Sequence, residues 1–162
     1  YNTNTNSWTN PAPTASPAAR SNHALVYIER GRIILFGGSG PTNDTWEYNI
    51  SYNEWSQRIA NGDPDSPPAR QDHRLLYLGD NMVLLFGGNN GATYFNDTWI
   101  YNTGTRKWTE IITDTAPDPR ALHDMAKSGN GEVIIFGGYN GSTYNNSTWK
   151  FYNGPVTYEL PW

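Results

Sequence analysis

The sequence predicts an all-β fold made of three similar units, each about 50 residues long. A hydrophobic run that ends in two glycines occurs three times, as IILFGG at 33–38, VLLFGG at 83–88 and VIIFGG at 133–138. An arginine and a histidine precede each run, and both recur at a constant spacing of 50 residues. The composition agrees, since 16 Gly, 11 Pro, 11 Tyr and 7 Trp are typical of short strands joined by many turns.

Composition and charge exclude several classes of protein. The net charge of −4 and the pI near 5.2 argue against a surface for nucleic acids or anionic membranes. The chain has no cysteine, which excludes disulfides and thiolate metal sites. No apolar stretch approaches the roughly 20 residues that a membrane-spanning helix needs. Asn and Thr dominate the polar positions while Lys is scarce, so we favour an extracellular or cell-surface location over a cytoplasmic one.

Each unit contains four strand-like segments separated by turn signals. In the first unit they read HALVYIE, RIILFGG, DTWEYN and EWSQRI. The second segment is continuously apolar, so we expect it to be covered on both faces. The third alternates, with Trp46 and Tyr48 on one side and Glu47 on the other. Four short antiparallel strands with a neighbour on each face describe one blade of a β-propeller.

Several residue types return at the same place in every unit. A residue type that recurs in every repeat more often stabilises the fold of the repeat than binds a ligand. We therefore interpret these positions as structural. They are Gly37, Gly38, Gly87, Gly88, Gly137, Gly138, His23, His73, His123, Trp8, Trp46, Trp55, Trp99, Trp108 and Trp149.

These motifs resemble those of the kelch-repeat family, whose period is about 50 residues. The resemblance extends over residues 1–152 and rests on the glycine doublets, on Tyr48, Tyr101 and Tyr152, and on Trp55 and Trp108. It implies a β-propeller that binds a partner, with catalysis confined to a minority such as galactose-oxidase-like enzymes. The third unit departs from the pattern, because Ser147 replaces an aspartate and no tryptophan lies seven residues after Tyr152.

Three units are too few to close a ring, because propellers have four to eight blades. The sequence predicts a single domain over 1–162. Its first segment is 1–10, its three repeats are 20–59, 70–112 and 120–152, and its tail is 153–162. The first segment resembles a fourth strand, since Trp8 follows Tyr1 by seven residues, as Trp55 follows Tyr48. Two copies arranged head to tail would give six blades, with each first segment completing the partner's last blade.

Two alternatives to this homodimer stay open. The sequence could be a fragment of a longer propeller. The tail, through Tyr158 or Trp162, could also supply the fourth strand of the last blade. We favour Trp8 for that position because its spacing matches the other repeats.

The glycine doublets do not form a phosphate-binding loop. A loop of that kind needs a lysine and a hydroxyl after the second glycine, followed by a helix. Gly38 is followed by SGPTNDTW, which has no lysine and no helical periodicity. We expect the glycines to provide positive φ or close backbone approach where a strand ends.

The three histidines do not predict a metal site, although three imidazoles can bind zinc. His23, His73 and His123 open the innermost strand of each blade, where a six-bladed ring would be wide. We therefore interpret them as forming hydrogen bonds to a neighbouring loop within the blade. No set of residues in the sequence has the pattern of a catalytic nucleophile with its base. We predict no catalytic residue, metal or cofactor.

Arg20, Arg70 and Arg120 follow proline-rich loops. They could form a ring of cationic donors for an anionic partner. We favour the other interpretation, in which they pair with Asp44 and Asp97 or with backbone carbonyls. Because Ser147 stands where the third unit needs an acid, Arg120 is the freest of the three.

The loops before the first strand and after the second strand of each unit emerge on the same side, and they are the longest and most varied. Aromatic side chains beside amides and hydroxyls suit protein or sugar partners, although the same aromatics could instead cap the blade cores. The predicted binding residues on this side are Arg20, Arg70, Arg120, Tyr94, Phe95, Tyr139 and Tyr144.

The predicted function is that of a non-catalytic propeller module for protein–protein interaction or scaffolding, which associates with a second copy of itself. A protein or glycan ligand on the loop side is expected, and a nucleic-acid or membrane partner is not. The alternatives are an extracellular carbohydrate-binding module, or a fragment of a larger galactose-oxidase-like or other kelch protein.

Overall fold

The computed structural model describes residues 5–152, which form eleven strands and no helix. The strands are β1 (Ala24–Ile28), β2 (Arg32–Phe36), β3 (Thr45–Asn49), β4 (Glu54–Ile59), β5 (Arg74–Gly79), β6 (Met82–Phe86), β7 (Thr98–Asn102), β8 (Lys107–Ile111), β9 (Asp124–Lys127), β10 (Glu132–Phe136) and β11 (Thr148–Tyr152). Within these residues no helix is long and apolar enough to span a membrane.

The strands form three antiparallel sheets in chain order, which we call the first, second and third blades. The first blade contains β1–β4 and the second β5–β8, each in sequence order, while the third contains β9–β11 among the described residues. The prediction of an all-β chain with four-stranded blades is thereby confirmed for the first two repeats. Segments 1–4 and 153–162 lie outside the described residues, and none of the eleven strands includes residues 5–10. What completes the third blade therefore stays a prediction.

In the first and second blades the second strand is covered on both faces, as its continuous apolar sequence predicts, whereas Phe136 at the end of the third blade's second strand is exposed. In β2 the successive side chains of Ile34, Leu35 and Phe36 are all buried, and neighbouring side chains of a strand point to opposite faces. Both edges of β2 are also occupied, because it pairs with β1 and β3. The hydrophobic run thus forms the centre of its blade.

The blades pack face to face through two hydrophobic clusters. The first cluster joins the first and second blades through Ala24, Ile28, Ile34, Phe36, Leu75, Val83, Leu85, Tyr101 and Trp108. The second cluster joins the second and third blades through Leu78, Leu84, Phe86, Val133 and Ile135. Because each fully buried side chain of this size contributes about 1.5–3 kcal/mol, these blade interfaces supply much of the stability of the fold.

The strand register corrects which residue of the third blade corresponds to Tyr48 and Tyr101. In each blade a residue of the second strand pairs with the repeated aromatic residue of the third, namely Ile33 with Tyr48, Val83 with Tyr101 and Val133 with Phe151. Phe151, rather than Tyr152, is therefore the counterpart in the third blade. The sequence comparison was wrong here because it matched residue type instead of distance from Trp149.

Candidate functional site

The loops after the second strands lie beside the segments that enter the next first strands. Isolated bridges between these parts of the chain join Thr42 to Arg70, Gln71 to Asn89, and Ala121 to Tyr139. We call this side of the molecule the loop face. It consists of residues 39–43, 89–96 and 139–146 together with 10–20, 60–70 and 113–120.

Three tyrosines of the loop face form one aromatic cluster, which we call the tyrosine cluster. The ring centroids of Tyr94 and Tyr139 are 6.0 Å apart in an edge-to-face arrangement, and those of Tyr139 and Tyr144 are 5.0 Å apart. Tyr144 is 84% exposed, whereas the other two are half-buried. The cluster extends across the boundary between the second and third blades and presents an aromatic surface to solvent.

Side-chain amides shape the two loops that carry this cluster. Oδ1 of Asn140 accepts the backbone N–H groups of Ser142 and Thr143, both at 2.9 Å. In the second blade Oδ1 of Asn90 accepts the equivalent hydrogen bonds, from the N–H of Ala92 at 3.0 Å and from the N–H of Thr93 at 2.8 Å. These amide oxygens therefore hold the loops in shape.

Phe95 does not join the tyrosine cluster. The guanidinium carbon of Arg70 lies 4.2 Å from the centroid of the Phe95 ring, a cation–π geometry. Since Arg70 is fully buried, this contact directs Phe95 toward the interior of the repeat.

The arginines of the first two repeats form bidentate pairs with the repeat aspartates. Arg20 donates to the carboxylate of Asp44 at 2.6 and 2.8 Å, and Arg70 donates to Asp97 at 2.6 and 2.7 Å. Burial acts to raise the pKa of Asp44, but hydrogen bonds from Arg20 and Trp46 outweigh it and leave the pKa below its ordinary value. Each pair closes its own repeat with a charge-assisted contact, so a partner-binding role for these arginines stays a prediction.

The third repeat has the same arrangement without the acid. Arg120 donates from Nη1 to the carbonyl of Gly137 at 2.8 Å and to the hydroxyl of Ser147 at 3.2 Å. Its Nη2 is buried and has no hydrogen-bond partner among residues 5–152. Burial lowers the pKa of Arg120 from its ordinary value, and the nearby charge of Asp118 offsets only part of this effect.

His73 and His123 lie at the boundaries between blades. The ring of His73 meets Phe36 edge-on with the centroids 5.4 Å apart, and His123 meets Phe86 at 5.3 Å. The sequence interpretation placed these rings in hydrogen bonds within a blade, whereas the structure uses them to pack one blade on the next. Burial above all lowers the pKa of His73 to about 3 and that of His123 to about 4, so both rings are neutral at pH 7.

The glycine doublets of the first and second blades contact the segment of the next blade that carries these histidines. Gly87 has a φ of +65°, and a Cβ at this position would lie 2.6 Å from the carbonyl oxygen of Arg120 and 2.9 Å from Cε1 of His123. The N–H of Gly88 donates to that same carbonyl at 2.8 Å. Only glycine tolerates both this φ and this approach. The doublet is thus a contact site between blades.

A family model supports the assignment that these repeats suggest. The model of the KLHDC2/KLHL20/DRC7 kelch-repeats domain matches residues 1–157. The chain belongs to the kelch-repeat family. The prediction from the repeated glycines and tryptophans is confirmed, and the three sheets are kelch blades. None of the curated proteins in the comparison matches the chain.

The predicted binding residues of this kelch domain separate into two groups. Tyr94, Tyr139 and Tyr144 come together on the loop face, whereas Phe95 and the three arginines are engaged within their repeats. Within residues 5–152 no three His, Asp or Glu side chains are placed to hold a metal ion.

Sequence reasoning missed Gly141, which allows the tyrosine cluster of the kelch domain to form. A Cβ at Gly141 would lie 2.8 Å from the ring of Tyr94, so the loop of the third blade can approach that ring only without a side chain. The available signal was the Asn-Gly dipeptide shared by NNGATY and YNGSTY. The sequence did not indicate that a ring from another blade packs there.

Proposed function

We propose that this kelch domain is a protein-binding module whose partner contacts the loop face at the tyrosine cluster. The observation that carries this proposal is the exposure of Tyr144, at 84%, on top of two rings that are themselves fixed by packing. Aromatic side chains held in one conformation lose little entropy on binding and are frequent binding hot spots.

A protein partner is favoured over a sugar because the neighbouring amide oxygens are already used. A sugar site needs free polar groups at fixed positions beside its aromatic platform. On the loop face, Oδ1 of Asn90 and of Asn140 each accept two backbone hydrogen bonds within their own loops. Aromatic contact is therefore the main feature that this surface offers.

Substitution of Tyr144 tests the binding surface. We expect Tyr144→Ala to abolish the capture of protein partners by the immobilised domain, since it removes the exposed ring of the cluster. Tyr52→Ala is the matched control, because Tyr52 is also exposed but lies in the turn between β3 and β4, on the opposite side. A glycan array that gives a signal sensitive to Tyr144→Ala, without any protein partner, would support the carbohydrate alternative instead.

We propose further that two copies of the domain associate head to tail and complete a six-bladed ring. Two outward faces motivate this proposal. Phe136 of the third blade is 56% exposed, whereas its counterparts Phe36 and Phe86 are buried under the next blade. Leu25 of the first blade is 52% exposed, compared with 8% for its counterpart Leu75. A second copy would cover both surfaces with the contacts that the inner blades already make.

The backbone at the start of the innermost strands supports the same arrangement. The N–H of Asp72 donates to the carbonyl of Asn22 at 2.9 Å, and the N–H of Leu122 donates to the carbonyl of Asp72 at 3.0 Å. These three residues share a positive φ of 57–60°. The next hydrogen bond in this series would run from the N–H of the partner's Asn22 to the carbonyl of Leu122. The ring would then continue through the second copy.

Light scattering tests this association directly. A folded particle with the 18.2 kDa mass of one chain would contradict it, and we expect twice that mass. Phe136→Asp places a charge in the proposed interface and should yield monomers. Ile112→Asp is the control, because Ile112 is an exposed aliphatic residue just after β8, outside both outward faces.

A further inference from the structure

The tryptophan of β8 occupies a site made by two blades. The Trp108 ring lies 5.0 Å from Phe36 of the first blade and 5.1 Å from Tyr101 of its own blade, centroid to centroid. Its Nε1 donates a 3.0 Å hydrogen bond to the hydroxyl of Thr45, also in the first blade. A fourth-strand aromatic residue therefore fixes its blade to the preceding one.

A cavity stands at the corresponding place between the second and third blades. It has a volume of about 140 Å³, and its walls include Phe86, Thr98 and Phe151. These three residues are the repeat counterparts of the three groups that surround Trp108, one blade further along. The cavity thus has the walls of a fourth-strand tryptophan site.

We propose that this cavity receives Trp8 of a second copy of the chain. The inference rests on the head-to-tail association proposed above and identifies the contact that closes each junction. In the sequence Trp8 follows Tyr1 by seven residues, the spacing of Trp55 from Tyr48 and of Trp108 from Tyr101. Trp8 is 83% exposed, and its indole N–H matches the hydroxyl of the partner's Thr98.

The position of the first segment directs Trp8 to another copy rather than to its own cavity. Nδ2 of Asn53 donates to the carbonyl of Pro11 at 2.7 Å, so this segment is held at the outer turn of the first blade. Three residues of extended chain span at most about 11 Å, whereas the cavity lies on the far side of the second blade. In a head-to-tail ring the first blade follows the partner's third blade, which brings Trp8 beside the partner's β11.

The alternative occupant is a residue of the tail. Tyr158 follows Phe151 by seven residues and lies outside the described residues. A tyrosine from the chain's own tail and a tryptophan from a second copy would fill the cavity differently, and the test separates them.

Engineered cysteines test the proposed pairing, because the chain has no cysteine of its own. In the first blade Asn49 pairs with Glu54, and the equivalent pair at the junction is Tyr152 with the partner's Ser7. We expect a mixture of the single variants Ser7→Cys and Tyr152→Cys to form a disulfide-linked dimer on mild oxidation. Neither variant alone should do so. In the double variant, a disulfide that forms within one chain would overturn the proposal.

Substitution of Trp8 and removal of the tail complete the test, with sedimentation as the measurement. We expect Trp8→Ala to weaken dimerisation by about 30-fold or more, the effect of a hot-spot tryptophan, and deletion of residues 153–162 to leave it unchanged. Tyr52→Ala is again the control. A wild-type monomer would refute the association itself. A dimer that Trp8→Ala leaves intact, or that the deletion dissociates, would refute only the role of Trp8.

Discussion

The Nε1 atom of Trp108 donates a 3.0 Å hydrogen bond to the Oγ1 atom of Thr45 and so joins the second blade to the first. Thr45 is fully buried and Trp108 nearly so, which means that neither group can exchange its partner for water. Trp108, which belongs to the repeated kelch pattern, thus contacts the preceding blade. The stability of the second blade therefore depends on the first.

A double-mutant cycle on this pair measures the coupling between blades. We expect Trp108→Phe to lower the free energy of unfolding by about 2–4 kcal/mol, since it leaves the buried Thr45 hydroxyl unpaired and creates a cavity. Thr45→Val is the matched partner variant. Urea denaturation should give a coupling energy of about 1 kcal/mol, and additive effects would show that the hydrogen bond contributes nothing.

Replacement of Ser147 by aspartate should stabilise the protein. Nη2 of Arg120 is buried without a partner among residues 5–152, whereas Arg20 and Arg70 each pair with a carboxylate at the equivalent position. We expect Ser147→Asp to add about 1–2 kcal/mol, the net effect of charge-assisted hydrogen bonds, and to raise the midpoint of thermal unfolding. Ser147→Asn is the control of similar shape. Equal stability of the two variants would show that the missing charge is irrelevant.

Two glycine substitutions report on whether the third blade has a neighbour in solution. Gly87→Ala should cost at least about 3 kcal/mol, because its Cβ would meet Arg120 and His123 of the next blade. Gly137 has a φ of +73°, and among residues 5–152 the nearest contact of an added Cβ would be a backbone oxygen at 3.6 Å. In an isolated chain Gly137→Ala should therefore cost only the backbone strain, about 1–2 kcal/mol.

The comparison of these two variants distinguishes the assemblies. If a second copy covers the third blade, the partner's Arg20 and His23 approach Gly137, and both substitutions should be equally severe. Chemical denaturation at low and high protein concentration measures the difference. A mild Gly137→Ala at concentrations where the protein is dimeric would contradict the head-to-tail interface.

The buried histidines predict that stability falls as the pH is lowered from 6.5. In the unfolded chain both imidazoles titrate near 6.5, whereas burial in the folded state lowers the pKa of His73 to about 3 and of His123 to about 4. Between these values the unfolded state binds more protons, so acid favours unfolding. The loss should reach about 2 kcal/mol per histidine at pH 5.

Removal of one imidazole provides the control for this pH dependence. His123→Gln should reduce the slope of unfolding free energy against pH, between pH 6 and 5, by about 1.4 kcal/mol per pH unit. The Asp44 carboxylate does not contribute there, because its pKa is lowered and its stabilisation is lost only at more acidic pH. An unchanged slope in the variant would show that His123 is not the titrating group.

Much of the fold could be predicted because it depends on local patterns. The hydrophobic runs define the central strands, since continuous apolar sequence requires cover on both faces. The equivalence of Phe151 was missed because a tyrosine stands next to it, although Phe151 follows Trp149 by two residues, as Tyr48 follows Trp46, and the strand register pairs it with Val133. The tyrosine cluster was predicted as separate residues, because sequence spacing does not show that rings of two blades meet over Gly141.

The sequence by itself determined the family, the repeat and the number of blades, because each of these follows from residue types at fixed spacing. Tertiary structure alone decided what several of the repeated residues contact. The histidines pack on the preceding blade, and Phe36 is buried while Phe136 is exposed. The physical reason is that identical residues in a repeat have different surroundings when another blade covers one of them and, within residues 5–152, none covers the other.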